Sequence, residues 1–313
     1  MSNVSERVSP AKTPMRFAFA ADGNVIPGVH VTVASLLQSL TFPDDVELHL
    51  FYTNWTDAQI ESLSRTAQLN NRRSTLYCHR LDLQPFRSLR PVRGSIMNFA
   101  WFVIPEFFDD RVIILDTDLV VTIDLTPLAS VALDDTKLCA AVSWRNLEQA
   151  PNWPIYAECG MAPNGPALLG GGLAVHAHDW KARNITNKCL SLRTLLQKRL
   201  CGGNQPILNI ALYEKFQILE RKYNTPISPS QGKLSEDVLA ASRVWHFVGR
   251  PKPWEFLGCW VHSNSFLYQT YLKKTDIVRD GGGTYSVNVS RSARTFIRYH
   301  RAYFRRMFFW ARR

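Results

Sequence analysis

The N-terminal half of the chain alternates short apolar segments with segments of helical periodicity. The apolar segment 16–21 has the pattern of a buried strand, and 47–52 and 75–79 are further strand candidates. The segments 29–40 and 57–68 between them have the spacing of helices. Strands that alternate with helices along a chain form sheets that are largely parallel. The pattern therefore predicts an α/β fold.

The remainder of the chain continues this mixture of strands and helices, and its 313 residues suit one large α/β domain with a small appendage. The further predicted elements are a helix over 95–108, strands over 111–115, 138–142, 167–176 and 244–248, a proline-rich loop over 151–166, and helices over 181–200, 205–213 and 263–273.

Two aspartates follow the apolar run 111–115. Asp116 and Asp118 are separated by Thr117, and alternate residues of an extended chain share a face, so both carboxylates can bind one divalent cation. Ligands of open α/β sheets gather beyond the carboxyl ends of strands. The D-x-D pattern alone is weak, because it also occurs in turns as a hydrogen-bonding cap.

A histidine and a lysine at the end of a later strand add to this pattern. A neutral His246 can complete a metal site, and Lys252 can neutralise a diphosphate. A lone histidine is more often a half-buried side chain with satisfied hydrogen bonds. Together with Asp116 and Asp118, however, His246 gives an O, O, N ligand set that suits Mn²⁺ better than Ca²⁺, with Mg²⁺ as the alternative ion.

Charge and cysteine content exclude several classes of protein. Eight of the 37 Lys and Arg residues lie in Arg291–Arg313, which contains no acid, so the rest of the chain carries a net charge of only 11 − 8 = +3. This distribution argues against a nucleic-acid-binding domain. The six cysteines lack C-x-x-C spacing, which argues against zinc. No N-terminal apolar run has the length of a signal peptide, and we expect a cytoplasmic protein.

Five segments of the sequence together resemble glycosyltransferase family 8, the retaining nucleotide-sugar transferases that include bacterial lipopolysaccharide galactosyl- and glucosyltransferases. The resemblance covers about Arg16 to Trp260. The segments are Phe19-Ala-Ala-Asp-Gly-Asn24, Ile114-Leu-Asp-Thr-Asp118, Leu169-Gly-Gly-Gly172, Asn204-Gln-Pro-Ile-Leu-Asn209 and His246-Phe-Val-Gly-Arg-Pro-Lys-Pro-Trp254. The resemblance implies a Rossmann-like GT-A fold with a mixed central sheet, a manganese ion and a UDP-sugar donor.

The same resemblance assigns roles to individual residues. Asp116, Asp118 and His246 would bind manganese, and Gln205, accompanied by Asn204, would lie beneath the anomeric carbon of the sugar, where family members keep a glutamine implicated in the retaining step. The remaining donor-binding residues would be Ala20, Asp22 and Asn24 at the uridine, Thr117 between the metal ligands, and Gly249 and Lys252 at the diphosphate.

Four positions depart from the family pattern, and all four would lie around the base or the sugar. Trp101 replaces a usual arginine, Val25 replaces an aromatic residue that often stacks on uracil, Gly170 replaces an asparagine, and Asn204 replaces a frequent aspartate. We interpret these changes as an altered donor sugar or acceptor geometry, with loss of activity as the less favoured alternative.

The C-terminal segment has the pattern of an interfacial membrane helix. On a period of 3.6 residues one face is aromatic and the other is basic. The aromatic face comprises Phe296, Tyr299, Tyr303, Met307 and Trp310, and the basic face comprises Arg294, Arg298, Arg301, Arg305 and Arg312. A helix packed on the catalytic domain is the first alternative and nucleic-acid binding is a weaker one. We therefore predict a flexible N-terminus at 1–14, a catalytic domain at 15–275 and a membrane-association tail at 276–313.

These features support three hypotheses. The first is a manganese-dependent, retaining glycosyltransferase that moves a hexose from a UDP-sugar to a lipid-linked glycan at the inner face of the cytoplasmic membrane. The second is a catalytically impaired family 8-like protein that binds UDP or glycan at the membrane surface. The third, a peripheral membrane scaffold, leaves Asp116, Asp118 and His246 unexplained.

Overall fold

The computed structural model describes residues 14–41, 45–92, 94–196, 198–255 and 258–279. The N-terminus predicted to be flexible lies outside these ranges except for Pro14, and the tail from residue 280 onwards, with its predicted amphipathic helix, also lies outside them. None of the helices within these ranges combines the length and the apolar character needed to cross a membrane.

The strands form a larger and a smaller sheet. They are β1 Met15–Asp22, β2 Val46–Thr53, β3 Thr75–Arg80, β4 Arg111–Leu115, β5 Leu119–Val121, β6 Cys139–Asn146, β7 Pro166–His176, β8 Phe216–Leu219, β9 Thr225–Ile227 and β10 Val244–Phe247. The larger sheet has the order β3-β2-β1-β4-β7-β6-β8, and the smaller one has the order β5-β10-β9. Strands β1 to β4 are parallel, whereas β7 is antiparallel to both β4 and β6. The predicted α/β fold with a mixed central sheet is confirmed.

The described residues form eleven α-helices, several of which pack on the two faces of the larger sheet. They are α1 Ile26–Ser39, α2 Asp57–Asn70, α3 Thr126–Ala129, α4 Trp153–Glu158, α5 Ala177–Ala182, α6 Ile185–Leu196, α7 Gln205–Ala211, α8 Glu236–Ala240, α9 Gly258–Val261, α10 Ser265–Leu272 and α11 Asp276–Arg279. One buried apolar cluster contains side chains of α1 and α2, and another contains side chains of α6 and α7.

Helix α1 is buried along almost its whole length and aligns the small sheet with the large one. Two of its buried polar side chains bind the backbone of β5: Thr32 Oγ1 donates to the Leu119 carbonyl (3.0 Å), and Ser35 Oγ accepts from the Val121 amide (3.0 Å). β5 pairs with β10 on its other side, so these hydroxyls satisfy backbone groups that a buried edge would otherwise leave unpaired. The strand after the two aspartates is thereby fixed to the core.

Three sequence-based predictions of secondary structure are wrong in detail. The predicted helix 95–108 consists of two 3-10 helices, Met97–Phe102 and Ile104–Phe107, where Pro105 has no amide hydrogen to continue an α-helix. The predicted helix 181–200 is divided into α5 and α6 by Asn184, whose φ is 51°, a conformation that asparagine tolerates. The proline-rich loop 151–166 contains α4, which has a proline in its first turn.

The last described residues are anchored to α2. The Asp276 carboxylate accepts hydrogen bonds from Ser62 Oγ (2.6 Å) and Arg65 Nε (3.1 Å), and its backbone amide donates to Thr66 Oγ1 (3.0 Å). Asp276 is buried, so these bonds compensate for the loss of water. The segment that begins the predicted tail is therefore packed on the domain at its first residue.

Candidate active site

The strand pairing brings Asp116, Asp118 and His246 together. Asp116 follows β4, and its amide donates to the carbonyl of Gly171 on the antiparallel strand β7 (3.0 Å). Asp118 precedes β5, and its carbonyl accepts from the Phe247 amide of β10 (2.9 Å). Because His246 is opposite Leu119 in the pairing of β5 with β10, its imidazole lies beside the two carboxylates although 128 residues separate it from Asp118 in sequence.

These three side chains have the arrangement of metal ligands. One ligand atom from each lies within 4.8 Å of the others. His246 Nε2 is 3.2 Å from Asp118 Oδ1 and 3.8 Å from Asp116 Oδ2. Asp118 Oδ1 is buried and accepts no hydrogen bond. Two ligand atoms at right angles on one ion, with bonds of about 2.1 Å, are about 3 Å apart. The residues therefore fit a divalent cation bound by two carboxylates and one imidazole.

The two aspartates differ in their electrostatic environment. Burial and the neighbouring Asp118 carboxylate raise the pKa of Asp116. Burial also raises the pKa of Asp118, but Lys252 and His246 together more than offset this and hold the pKa below its usual range. Lys252 Nζ donates to Asp118 Oδ2 and to the Phe247 carbonyl. A bound cation would favour the ionised form of both carboxylates.

A cleft with an empty volume of about 820 Å³ opens beside the aspartates. Most of the residues predicted to bind the donor line it, namely Ala20, Asp22, Asn24, Asp116, Thr117, Asp118 and Lys252. Val25 and Trp101, two of the four departures from the family pattern, line it as well. The Asn24 amide and Asn24 Nδ2 both donate to Asp22 Oδ1, at 2.9 and 3.0 Å, which fixes the loop after β1 at the cleft.

The two residues predicted beneath the sugar do not line the cleft, and one of them, Gln205, contacts the glycine-rich strand. Gln205 is the first residue of α7, and its Oε1 accepts a hydrogen bond from the Gly170 amide (3.1 Å). Asn204 immediately precedes α7 and accepts from the Leu208 amide through its carbonyl (2.9 Å). A Cβ atom at residue 170 would lie 3.3 Å from Gln205 Oε1, so the glycine allows the glutamine to approach β7 closely.

Gly249 also lies outside the set of residues that line the cleft. It has a φ of 80°, a left-handed conformation that favours glycine, and it lies in the turn that leads from His246 to Lys252. Its neighbour Arg250 does line the cleft. The structure therefore places a second cation, which the sequence reasoning did not include, beside the predicted diphosphate position.

Further cleft and support residues were missed from the sequence. Ser95, Met97 and Asn98 line the cleft, and their position in the first turn of a predicted helix gave no signal of it. The buried Asn224 hydrogen-bonds to His246, but in sequence it is a single asparagine before a short strand. Its role is visible only once the fold places it behind the imidazole.

Comparison with known proteins identifies the family and several glycosyltransferase relatives. A family model described as Glycosyl transferase family 8 matches residues 16–258. The lipopolysaccharide 1,3-galactosyltransferase of Salmonella typhimurium is 25% identical over 80% of this chain and 76% of its own length. The lipopolysaccharide glucosyltransferase WaaO of Escherichia coli is 24% identical over 76% of this chain and 71% of its own length.

The solved structures agree on the fold. A crystal structure of the galactosyltransferase LgtC with donor and acceptor sugar analogues superposes with a TM-score of 0.69 at 19% identity, and the match covers 83% of this chain and 96% of that one. The GT-A fold implied by the sequence resemblance is confirmed by this neighbour. Because the family model spans most of the chain, including both aspartates and His246, the protein belongs to glycosyltransferase family 8.

Proposed function

We propose that the protein is a retaining glycosyltransferase that moves a hexose, glucose or galactose, from a UDP-sugar to a glycan acceptor, with Mn²⁺ as its metal and Mg²⁺ as the alternative. The observation that carries the proposal is the cluster of Asp116, Asp118 and the buried His246, whose two aspartates line a cleft together with Asp22 and Asn24. Carboxylate and imidazole ligands suit Mn²⁺, and family membership supports a nucleotide-sugar donor.

The charges around the cleft support departure of a diphosphate. The bound metal would supply positive charge to the diphosphate oxygens, and this stabilises the leaving group most in the transition state. Lys252 adds a second positive charge, because its ammonium group lines the same cleft and is held by Asp118 and the Phe247 carbonyl. Arg250, also at the cleft, is a third candidate for the diphosphate.

We assign the retaining step to the region of Gln205 and Asn204. Gln205 is held against β7 by the Gly170 amide, and the Asp116 amide binds the adjacent residue of the same strand, Gly171. The strand therefore connects the proposed sugar-side glutamine to the metal ligands. The acceptor hydroxyl would attack the anomeric carbon from the face that UDP leaves, which retains the configuration.

For the acceptor we propose a lipid-linked glycan of the lipopolysaccharide type. The names of two curated relatives, a lipopolysaccharide galactosyltransferase and a lipopolysaccharide glucosyltransferase, support this class. We further propose that Arg291–Arg313 binds anionic lipid and keeps the protein at the inner face of the cytoplasmic membrane. The eight arginines of this segment support electrostatic binding, with about 1 kcal/mol from each residue near the surface.

The alternative is a catalytically impaired member that binds UDP or glycan at the membrane surface. Trp101 favours this alternative, because it lines the cleft with an apolar indole at the position where the family resemblance leads us to expect arginine. Gly170 favours it as well, since it offers the sugar no side chain. These departures are also compatible with a different donor sugar, and we prefer that interpretation because the metal-ligand set is complete.

A transfer assay separates the two candidates. The protein would be incubated with Mn²⁺, UDP-galactose or UDP-glucose and truncated lipopolysaccharide, and both UDP release and the anomeric coupling constant of the product would be measured. We expect transfer with retention, loss of transfer in Asp118→Ala, and normal transfer in Asp109→Ala, which removes an exposed surface aspartate. Metal-dependent UDP binding without transfer from any UDP-hexose would favour the impaired protein.

A further inference from the structure

A buried asparagine lies directly behind the proposed metal ligand His246. Asn224 is 1% exposed and precedes β9, the strand next to β10 in the smaller sheet. Its backbone is fixed on both sides: its amide donates to the Arg221 carbonyl (3.1 Å), and its carbonyl accepts from Trp144 Nε1 (2.8 Å). The backbone that carries the Asn224 side chain is therefore held in place.

The two ends of the Asn224 amide have different partners, and this fixes its orientation. Nδ2 donates to the Gly170 carbonyl (2.7 Å), and Oδ1 lies 3.0 Å from His246 Nδ1. A reversed amide would place two acceptors, Oδ1 and the Gly170 carbonyl, against each other. With Oδ1 directed at the imidazole, His246 Nδ1 must carry the proton, because an amide oxygen can only accept a hydrogen bond.

The consequence of this tautomer appears on the other side of the ring. When Nδ1 carries the proton of a neutral imidazole, Nε2 presents its lone pair. That nitrogen lies 3.2 Å from Asp118 Oδ1, and this oxygen accepts no hydrogen bond. Two lone pairs that face each other in a buried place repel unless a cation lies between them. The contact with Asn224 therefore prepares His246 as a metal ligand.

Gly171 provides the space for this contact. Its φ is 127°, and a Cβ atom at this residue would lie 2.6 Å from His246 Nδ1 and 2.7 Å from Asn224 Nδ2. On the same strand, the Gly170 amide holds Gln205 Oε1 and the Gly170 carbonyl holds Asn224 Nδ2. A continuous series of hydrogen bonds thus runs from Gln205 through Gly170 and Asn224 to His246.

We infer that Asn224 is a positioning residue, which orients His246 for metal binding and ties it to the strand that holds Gln205. The inference rests on the proposed function, since it requires His246 to be a metal ligand. Partners that fix a ligating histidine through its second nitrogen commonly change metal affinity by about 10–100-fold when they are replaced. The expected effect of removing Asn224 is therefore on metal affinity as well as on stability.

The test measures Mn²⁺ affinity of the full chain in the presence of UDP, by the electron paramagnetic resonance signal of free Mn²⁺. Asn224→Leu removes both hydrogen-bonding groups at similar volume, and we expect about 10–100-fold weaker Mn²⁺ binding. The matched control is Asn264→Leu, because Asn264 is also buried and makes two hydrogen bonds, to the Leu234 amide and the Gly232 carbonyl, outside the cleft. The control should lose comparable stability and keep the parent affinity.

A second variant separates the two ends of the amide. Asn224→Asp keeps an acceptor for His246 Nδ1 but places a second acceptor against the Gly170 carbonyl, so it should lose stability and retain Mn²⁺ binding. Its Mn²⁺ affinity is the deciding measurement if the leucine variant fails to fold. A folded Asn224→Leu protein with the parent Mn²⁺ affinity, or a folded Asn224→Asp protein without Mn²⁺ binding, would overturn this inference and leave the proposed function intact. Absence of Mn²⁺ binding in the parent protein would overturn the proposed function and this inference with it.

Discussion

Gly28 in α1 provides a test of how the metal loop is held. A Cβ atom at this residue would overlap the Thr117 carbonyl oxygen and lie 2.7 Å from Cη2 of Trp254. Alanine stabilises a helix by about 1 kcal/mol relative to glycine. Overpacking destabilises a folded protein by about 1–3 kcal/mol, and by more when backbone must move. Because the obstructing atoms belong to the backbone and to a buried indole, we expect the steric clash to outweigh the gain in helix propensity, so Gly28→Ala should destabilise the protein.

The expected net loss is about 2 kcal/mol, which for a chain of 313 residues corresponds to a melting temperature lower by about 3 °C. Thr117 lies between Asp116 and Asp118, so displacement of its carbonyl should also weaken Mn²⁺ binding. The assay is thermal unfolding of the metal-free protein together with calorimetric titration of Mn²⁺ in the presence of UDP. Gly232→Ala is the matched control, because a Cβ atom there has no neighbour within 4 Å, and it should leave both quantities unchanged.

A Gly28→Ala protein with the parent melting temperature and the parent Mn²⁺ affinity would refute this reasoning. It would show that α1 and the Thr117 carbonyl can move apart without a loss of folding free energy. The close packing of α1 against the metal loop would then be irrelevant to the binding site.

Three further predictions concern the edges of the site and the domain. Asp276→Asn should lower the free energy of unfolding by about 1–2 kcal/mol at neutral pH, because the carboxylate accepts charged hydrogen bonds from Arg65. Burial raises the pKa of Asp276, but the hydrogen bonds from Arg65 and Ser62 outweigh it and lower the pKa. The stabilisation is therefore fully present above the unfolded pKa of about 4 and is lost as the pH falls through the lower, folded pKa. In acid titrations the difference between parent and variant should begin to shrink near pH 4 and should disappear below the folded pKa. Lys252→Met should weaken UDP binding more than uridine binding in calorimetry, since only UDP carries the diphosphate, and equal weakening would contradict this role. Replacement of Arg298, Arg301 and Arg305 by glutamine should reduce binding to anionic vesicles at low salt in a sedimentation assay. Undiminished binding would show that the basic face of the tail is not the membrane-binding surface.

The N-terminal part of the fold was predictable because each element carries its own local signal. Strands β1, β2 and β4 are rich in apolar residues, β3 combines Leu76, Tyr77 and Cys78 at a sheet edge, and α1 and α2 have helical spacing. The helix predicted over 95–108 failed for the opposite reason: its residues are apolar on all sides because they are buried, and apolar periodicity there does not distinguish α-helix from 3-10 helix. The division at Asn184 likewise depends on a backbone conformation that has no pattern in the sequence.

The candidate site was predictable where its chemistry is unusual. Two carboxylates after a buried strand are a weak signal alone, and so is a single histidine, but together they form a ligand set that, with Lys252 close to His246 in sequence, indicates a metal site. The pairing of β5 with β10 brings them together. Asn224 and Arg250 were missed because a single asparagine or arginine is ordinary in sequence. Their positions depend on long-range packing, which local patterns do not encode.

The most direct measurement of the central claim is calorimetric titration of UDP, UDP-glucose and UDP-galactose into the protein with and without Mn²⁺, repeated with Asp118→Ala. We expect binding that requires Mn²⁺, is abolished by Asp118→Ala, and is stronger for one of the two sugars. Binding that is indifferent to Mn²⁺ and to Asp118→Ala, or no binding of any of these ligands, would contradict a metal-dependent UDP-sugar site at Asp116, Asp118 and His246.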